Sequence, residues 1–396
     1  MDGVLIIVNK QTIVYVVNAK VPEEVRAEKI CSFLAASGHH VIMACKWSGE
    51  SEVREQKNGY TIIRIGKGKG LLTTCFPGNP IWSSAITSII QEFKPSLIMC
   101  REMIPMQACS KASKGNIPIL LDMAEHYPAA MREWKKYNQH VFSRLAVHQL
   151  RIPDKIEAHA VRNAQAIITV CKEQNERLHA EYNVRHDAMF IVHNTPDEHS
   201  ISGIRKGSSN PPIVFGHHGY FTLERNLEML VKGFDIAATH HPQIKLLLAG
   251  SGETFSDVQR VAHACSSADR IEFTGSYLAK DLIELYGKTD IGFLPYSEQQ
   301  FRQYTLPNKA FDYMACGKPI ISSGLNPMRR LLDETGAGLY GTCETPEHIA
   351  GLMEQMLESD YQTMSANGIK AYHETYNWGQ DCQKLQQAID FIYQNH

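Results

Sequence analysis

The chain has 396 residues, of which 43% are hydrophobic and 21% are charged. This length suffices for two domains with substantial cores, and the composition is that of a soluble globular protein. The formal net charge of −2 argues against a nucleic-acid-binding protein, which would normally be basic overall. The ten cysteines are scattered singly without a C-x-x-C pair. We therefore predict no zinc site and no disulfide framework, but buried reduced thiols in a cytoplasmic protein.

The first apolar segments are too short to cross a membrane. Residues 3–8 and Thr12–Val17 are apolar, but polar residues at 9–11 separate them, whereas a membrane span needs about twenty nearly continuous apolar residues. Asp2 also argues against a secretory signal, which would begin with positive charge. We interpret Thr12–Val17 as the first parallel strand, and residues 3–8 as an extra edge strand or a weakly ordered leader.

Strand-like and helix-like segments alternate through the first half of the chain. Glu23–Ser37 is predicted to be an amphipathic helix that ends at Gly38. Strands are expected at 41–44, 96–100, 117–121, 166–170 and 189–193. Short apolar runs separated by helices are typical of a parallel α/β sheet that is buried on both faces.

Two acids and a histidine follow the predicted strand at 117–121. Asp122, Glu125 and His126 would lie at the carboxyl end of this strand, where each could accept a proton as a general base. Alternatively, Asp122 would be a helix N-cap, with Glu125 three residues later in a capping-box arrangement.

Residues 131–151 predict a basic aromatic helix. Trp134, Tyr137, Val141 and Leu145 fit one helical stripe, with arginines and lysines around it. Such a helix could dock on an anionic membrane surface or a lipid headgroup. The simpler alternative is an ordinary domain helix with a charged outer face.

A second series of strands follows a segment typical of a linker. Residues 195–210 are rich in Pro, Gly, Ser and Asn. Strands are then expected at 211–215, 245–249, 270–273, 291–294 and 320–322. We predict an α/β protein with two facing Rossmann-like domains, residues 1–200 and 211–375, and a C-terminal helix over 376–396 that crosses back to the first domain. Ligands should bind at the carboxyl ends of the strands. No G-x-G-x-x-G follows the first strand, so a dinucleotide oxidoreductase is not expected.

The segment Leu306–Ser323 combines a helix with an acid beside a lysine. Pro307 favours a first helical turn, and Gly317 ends the helix before a strand. Lys309 and Asp312 project away from the apolar face of this helix. An acid beside a lysine at a helix-to-strand junction suits a ligand with ribose hydroxyls and phosphates.

This segment resembles the nucleotide-sugar signature of family-four glycosyltransferases, the retaining enzymes of GT-B fold. Many bacterial members of that family read P-x-K-x-F-E-Y-M-A-x-G-K-P-V-I. Four further segments, at 216–230, 246–252, 273–277 and 290–296, are similar to family motifs in the same order and spacing. Such a set of ordered motifs is far more specific than any one motif alone.

The resemblance implies a site for a nucleoside diphosphate sugar, with UDP as the expected nucleotide. Gly219 would let the backbone approach the diphosphate, and Arg225 would neutralise its charge together with the helix dipole. Asp312 would accept hydrogen bonds from ribose hydroxyls. The donor-binding residues that the resemblance implies are Gly219, Arg225, Tyr277, Glu298, Asn308, Lys309 and Asp312.

Two positions depart from the family pattern. Tyr220 stands where a second arginine often follows the loop glycine, so Arg225 and Lys309 would bind more of the phosphate charge. Tyr304 replaces the first acid of the Glu-x7-Glu motif. Glu298, in the preceding loop, would then face the donor sugar or be an ordinary surface glutamate.

By this resemblance the chain is a hexosyltransferase that moves a hexose-type sugar, with retention, to a hydroxyl of a glycan or lipid-linked acceptor. Asp122, Glu125 and His126 would act on the acceptor side, and neither a metal nor another cofactor is expected. The expected location is the cytoplasm, at the inner face of the cytoplasmic membrane, with no nucleic-acid partner. Alternatives are an isomerase similar to UDP-N-acetylglucosamine 2-epimerases, which share the fold, and a catalytically degenerate assembly subunit.

Overall fold

The computed structural model describes residues 10–21, 24–49, 52–197 and 212–396. The chain divides into two compact units, of which one comprises Met1–Val192 with Cys382–His396 and the other comprises His193–Asp381. The predicted strand or leader at 3–8 and most of the predicted linker at 195–210 lie outside the described residues.

The first unit is built on an eight-stranded sheet. Its strands are β1 (Thr12–Val17), β2 (His40–Lys46), β3 (Arg54–Lys57), β4 (Tyr60–Ile65), β5 (Leu97–Arg101), β6 (Ile119–Met123), β7 (Ala166–Thr169) and β8 (Met189–Ile191). Their order is β3-β4-β2-β1-β5-β6-β7-β8, and only the β3–β4 pair is antiparallel. The order reverses between β1 and β5, and such a point in a parallel sheet leaves a crevice at the carboxyl ends of the strands.

Helices connect these strands because parallel neighbours need crossover connections. They are α1 (Val25–Ala36), α2 (Pro80–Phe93), α3 (Met106–Ser113), α4 (Tyr127–Glu133), α5 (Lys135–Asn138), α6 (Val141–Arg144), α7 (Ile152–Arg162) and α8 (Lys172–Tyr182). Apart from the edge strands β3 and β8, the strand side chains are buried almost throughout, as expected for a sheet covered on both faces.

The prediction of one helix over 131–151 is wrong. The chain forms α4, α5, α6 and a π-helical turn (Leu145–Gln149) instead. Trp134 has extended backbone angles, φ −67 and ψ 127, which end α4. Trp134 and Tyr137 pack against the core, whereas Val141 is 78% exposed. The predicted stripe is therefore split between the interior and the surface.

The second unit has a six-stranded sheet whose pairs are all parallel. Its strands are β9 (Ile213–His218), β10 (Ile244–Ala249), β11 (Ile271–Gly275), β12 (Ile291–Leu294), β13 (Ile320–Ser323) and β14 (Gly338–Gly341), in the order β11-β10-β9-β12-β13-β14. Its helices are α9 (Leu227–His240), α10 (Phe255–His263), α11 (Leu282–Gly287), α12 (Asn308–Ala315), α13 (Asn326–Thr335), α14 (Pro346–Glu358) and α15 (Tyr361–Glu374).

The last helix, α16 (Trp378–Asn395), begins in the second unit and belongs to the first unit from Cys382 onward. Within the described ranges, no helix combines the length and the apolar composition that crossing a membrane requires.

Candidate functional site

The loops after three strands of the second unit surround a cavity of about 510 Å³. Gly219 follows β9, Gly250 and Gly252 follow β10, and Ser276 and Tyr277 follow β11. Because the carboxyl ends of parallel strands lie at one edge of a sheet, three motifs that are distant in sequence come together here.

Glycine is required at two positions of this cavity. Gly250 has a φ of +138°, and a Cβ added to it would lie 1.8 Å from the carbonyl oxygen of Gly219. A Cβ on Gly252 would lie 2.3 Å from the carbonyl oxygen of Phe221. These loops can pack so closely only without side chains, which also lets a ligand approach their backbone.

The predicted lysine and aspartate are in direct contact on α12. Lys309 Nζ donates to Asp312 Oδ2 at 2.9 Å, as expected for residues three apart on a helix. Tyr286 OH donates to the same oxygen at 2.7 Å and accepts from Lys309 Nζ at 2.9 Å. Burial opposes the charge on Lys309, but the Asp312 carboxylate outweighs it and raises the pKa of the lysine. Asp312 Oδ1 has no hydrogen-bond partner among the described residues.

Arg225 lies before α9 and is held by an aromatic ring. Its guanidinium lies 4.5 Å from the ring centroid of the buried Tyr296, and its Nη1 donates to the hydroxyl of that tyrosine. Arg302 lies 4.7 Å from the same ring, so two cations share one aromatic partner. Arg225 Nε is buried and has no hydrogen-bond partner within the described part of the chain. The protein itself therefore leaves this donor unused.

Tyr277 connects the cavity to the charged residues. It lines the cavity, burial raises the pKa of its hydroxyl, and the charges of Lys309, Asp312 and Arg225 all act on it. Of the predicted donor residues, Gly219 and Tyr277 line one cavity, and Lys309 and Asp312 are in direct contact. Arg225 is related to them only through its charge, which acts on Tyr277.

The other two predicted donor residues, Glu298 and Asn308, are exposed. Glu298 is exposed and makes no hydrogen bond or ion pair with any described residue. Together with burial, its charge raises the pKa of Cys343 to about 12. Asn308 is the exposed first residue of α12. The exposure of the Glu298 side chain favours the alternative that it is an ordinary surface glutamate.

Two buried histidines beside the site were not singled out from the sequence. Burial lowers the pKa of both His217 and His218 to about 3, so they are neutral at physiological pH. His217 Nδ1 donates to the Phe293 carbonyl at 3.0 Å, and His218 Nδ1 donates to Tyr313 OH at 3.0 Å. These bonds tie the end of β9 to β12 and α12.

Asp122 belongs to the interior of the first unit. It is fully buried, and Arg26 donates to it from Nη2 at 2.9 Å and from Nε at 3.1 Å, while Tyr15 donates its hydroxyl hydrogen. Burial would raise the pKa of Asp122, but Arg26 and Arg101 hold it below its usual value. The structure thus corrects the expectation of an accessible base, because both carboxylate oxygens are already bonded.

The capping-box alternative for Asp122 is also wrong. Asp122 lies within β6, and α4 begins five residues later at Tyr127, with His126 at the N-cap position. No side chain caps that helix.

The other two predicted acceptor-side residues differ in their environment. His126 is buried, and burial, with Arg177 and Arg132, lowers its pKa to about 3, so it is a poor proton acceptor at neutral pH. Glu125 is only partly buried, and its charge contributes to the raised pKa of Glu102. Glu102 was not identified from the sequence.

In the described part of the chain, three possible metal ligands, His126, Glu157 and Glu181, have atoms within 4.8 Å of one another. Arg177 lies among them, with Nη1 2.8 Å from a carboxylate oxygen of each glutamate. Because the guanidinium already pairs with both carboxylates, we interpret this group as an ion-pair network.

Comparisons with known proteins match both halves of the chain. Residues 24–200 match the model of glycosyltransferase family 4, and residues 204–372 match that of glycosyl transferases group 1. Each half of the chain is therefore similar to a glycosyltransferase family model, which supports the prediction of a glycosyltransferase.

Individual proteins show more distant similarity. TuaH of Bacillus subtilis, named for teichuronic acid biosynthesis, is 25% identical over 150 residues, which are 38% of this chain and 35% of TuaH. A sucrose-phosphate synthase from Thermosynechococcus elongatus superimposes with a TM-score of 0.75 at 17% identity, over 98% of this chain and 100% of its own. HepE of Anabaena, solved in complex with UDP, superimposes with a TM-score of 0.70 at 12% identity. The superposition covers 96% of this chain and 99% of HepE. These structures confirm the predicted α/β, GT-B fold class.

Proposed function

We propose that this protein transfers a hexose-type sugar from a UDP-sugar to a hydroxyl group of a glycan or lipid-linked acceptor. The observation that carries the proposal is that Tyr277, which lines the glycine-rich cavity, is acted on by the charges of Arg225, Lys309 and Asp312. Two cations suit a diphosphate, and a carboxylate suits ribose hydroxyls. The solved structures of HepE with UDP and with UDP-glucose support the choice of nucleotide.

The cations have unequal roles in this proposal. The charge of Lys309 is already balanced by Asp312 at 2.9 Å, whereas Arg225 has an aromatic partner and an unbonded Nε. Arg225 is therefore the main group that neutralises the diphosphate. As the glycosidic bond breaks, the leaving diphosphate gains charge, and fixed N–H donors stabilise that charge without reorganisation. Asp312, through Oδ1, binds the ribose.

Retention of the anomeric configuration and a cell-surface glycan as acceptor follow from the family resemblance and from the name of TuaH. The epimerase alternative is not favoured, because both family models describe glycosyl transfer. Measurable hydrolysis or transfer of a UDP-sugar would exclude the alternative of an assembly subunit without activity. Product analysis separates the options, since an epimerase leaves UDP attached to its sugar.

The decisive experiment is calorimetric titration of the full chain with UDP in the presence of excess chelator, repeated with GDP. We expect UDP to bind in preference to GDP and with the same affinity when Mg²⁺ is added. Failure to bind UDP would overturn the donor assignment. If UDP bound only in the presence of Mg²⁺, the assignment of UDP as the donor nucleotide would stand, but the metal-independent mechanism would be overturned.

A peripheral membrane contact is part of the proposal. Val141 and Phe142 are 78% and 86% exposed, and exposed apolar residues next to basic ones fit an anionic lipid surface. The neighbouring residues of this surface are Lys135, Lys136, Arg144, Leu145 and Leu150. We expect binding to phosphatidylglycerol vesicles that weakens as salt is raised.

The matched variants for this contact are Phe142→Ser and Leu71→Ser. Leu71 is 93% exposed and belongs to a separate turn, Gly70–Thr73. Phe142→Ser should reduce vesicle binding, while Leu71→Ser should leave it unchanged. Equal binding by both variants would remove the membrane contact from the proposal.

A further inference from the structure

The loop that follows β12 supplies the partner of Arg225. This partner is Tyr296, which lies 71 residues after Arg225 and is fully buried. It makes two contacts with the arginine: its ring centroid lies 4.5 Å from the guanidinium, and its hydroxyl accepts a hydrogen bond from Nη1. The guanidinium is therefore held through both its charge and one of its N–H groups.

Two further side chains restrict the ring of Tyr296. His217 meets it edge to face with centroids 6.4 Å apart, and His217 is itself held by its hydrogen bond to the Phe293 carbonyl. The guanidinium of the buried Arg302 lies 4.7 Å from the same ring. A buried ring with such close neighbours has few alternative orientations, because protein interiors are tightly packed.

The same loop is attached to the turn that carries Arg225. Glu224 precedes Arg225 in the turn Leu223–Arg225, and its carbonyl oxygen accepts from the Ser297 N–H at 3.1 Å and from Ser297 Oγ at 3.2 Å. The Glu224 carboxylate also lies 3.6 Å from Arg302 Nη2. The backbone of Arg225 and the ring on which its side chain lies are thus connected.

The cations of this region differ in how their charge is balanced. Arg302 and Lys309 each have a carboxylate, at 3.6 Å and 2.9 Å, whereas Arg225 forms no ion pair with any described residue. A carboxylate partner would hold Arg225 in place but would cancel its charge. An aromatic ring attracts a guanidinium while leaving the net charge in place. Tyr296 therefore holds the arginine without neutralising it.

We propose that Tyr296 is a positioning residue, which orients Arg225 before a diphosphate binds and thereby increases the affinity for that ligand. Because the long side chain is already ordered, the ligand does not have to order it. Tyr296 acts through Arg225 and does not itself need to touch the ligand. The identification of the ligand as UDP rests on the proposed function, whereas the orientation of Arg225 rests on the geometry of the second unit.

The experiment is calorimetric titration of the full chain with UDP and, separately, with inorganic pyrophosphate. Tyr296→Leu removes the ring and the hydroxyl and should weaken the binding of both ligands about tenfold, the cost of ordering one long side chain. Tyr296→Phe keeps the ring and should weaken binding only about threefold. Tyr340→Leu is the matched control, since it removes another tyrosine whose ring faces an arginine, Arg329, at 5.8 Å. It should bind both ligands like the wild type.

A double-mutant cycle separates positioning from a general structural role. If Tyr296 acts through Arg225, then Tyr296→Leu should weaken binding in the wild type but cause no further loss in Arg225→Ala. A general structural role would instead weaken binding by the same factor in both backgrounds, and this result would overturn the proposal. The same cycle with Tyr296→Phe, a nearly isosteric change, decides the matter if Tyr296→Leu does not fold.

The two ligands keep this proposal distinct from the proposed function. Binding of pyrophosphate without binding of UDP would overturn the assignment of the nucleotide, and the cycle measured with pyrophosphate would still decide the role of Tyr296. Wild-type affinity of Tyr296→Leu for UDP would overturn the positioning role while the proposed function stands. If the wild type bound neither ligand, there would be no diphosphate site and both proposals would fail.

Discussion

Both units place charged side chains at the carboxyl ends of their strands, but the two clusters use their hydrogen-bonding groups differently. In the first unit, Asp122 is fully buried and both of its oxygens are bonded to Arg26 and Tyr15. In the second unit, Arg225 Nε and Asp312 Oδ1 have no partner among the described residues, beside an open cavity. Position at a strand end therefore does not define a binding site. In our proposal, the donor site is instead marked by the groups of the second unit that the protein itself leaves without a hydrogen bond.

Replacement of Asp122 tests the structural side of this comparison and should have the largest effect. Asp122→Ala leaves Arg26 buried without its carboxylate, which costs about 3–5 kcal/mol of unfolding free energy. Urea denaturation followed by circular dichroism measures this loss. Glu92→Ala, which breaks an exposed ion pair with Arg54, should change the urea midpoint very little. A stable Asp122→Ala protein with impaired turnover would instead restore Asp122 as a catalytic residue.

Arg225→Ala tests the binding side of the comparison. Removal of a fixed donor to a developing anion lowers turnover by roughly 10²–10³-fold, and UDP affinity should fall as well. Release of UDP from UDP-sugars and calorimetry with UDP measure the two effects. Arg260→Ala, the control, removes an exposed arginine that pairs with Asp257. It should leave both turnover and UDP affinity unchanged. Wild-type turnover by Arg225→Ala would remove Arg225 from the donor site.

Asp312→Ala should reduce UDP affinity by roughly ten- to over a hundredfold, because ribose hydroxyls lose a charged acceptor worth about 1.5–3 kcal/mol. The contact itself is tested with 2′-deoxy-UDP and 3′-deoxy-UDP. At least one analogue should bind the wild type more weakly than UDP, and that difference should disappear in Asp312→Ala. Asp269→Ala, at an exposed position, is the control. If Asp312→Ala still bound UDP more tightly than the deoxy analogues by the wild-type factor, the assignment of Asp312 to the ribose would be contradicted.

Gly250→Ala has the smallest expected effect and tests the shape of the cavity. The new Cβ would meet the Gly219 carbonyl oxygen, and the backbone conformation at φ +138° is unfavourable for alanine. Displacement of the loop should weaken UDP binding by about tenfold. A Cβ on Gly287 meets no atom within 4 Å, so Gly287→Ala should bind UDP normally. If Gly250→Ala bound UDP with the wild-type affinity, the loop at Gly250 would not contact the nucleotide.

Sequence patterns predicted several buried elements well, although β4 (Tyr60–Ile65), which is buried throughout, was missed. β1 and β12 have the predicted bounds, and α12 lies between Pro307 and Gly317 as expected, because apolar runs and helix-ending residues are local signals. β3 (Arg54–Lys57) was missed because it is a polar, mostly exposed edge strand without an apolar run. The break at Trp134 was missed because core packing of one aromatic residue outweighed the helical period.

The sequence by itself determined the order of the donor motifs and hence the family resemblance, since those motifs are short and local. Only the tertiary structure decided which charged residues are available to a ligand. Asp122 obtains its partners from Tyr15 and Arg26, 107 and 96 residues away, and Arg225 obtains its aromatic partner from Tyr296, 71 residues away. Burial and pairing depend on neighbours that a parallel sheet brings from distant parts of the chain, and no local pattern records them.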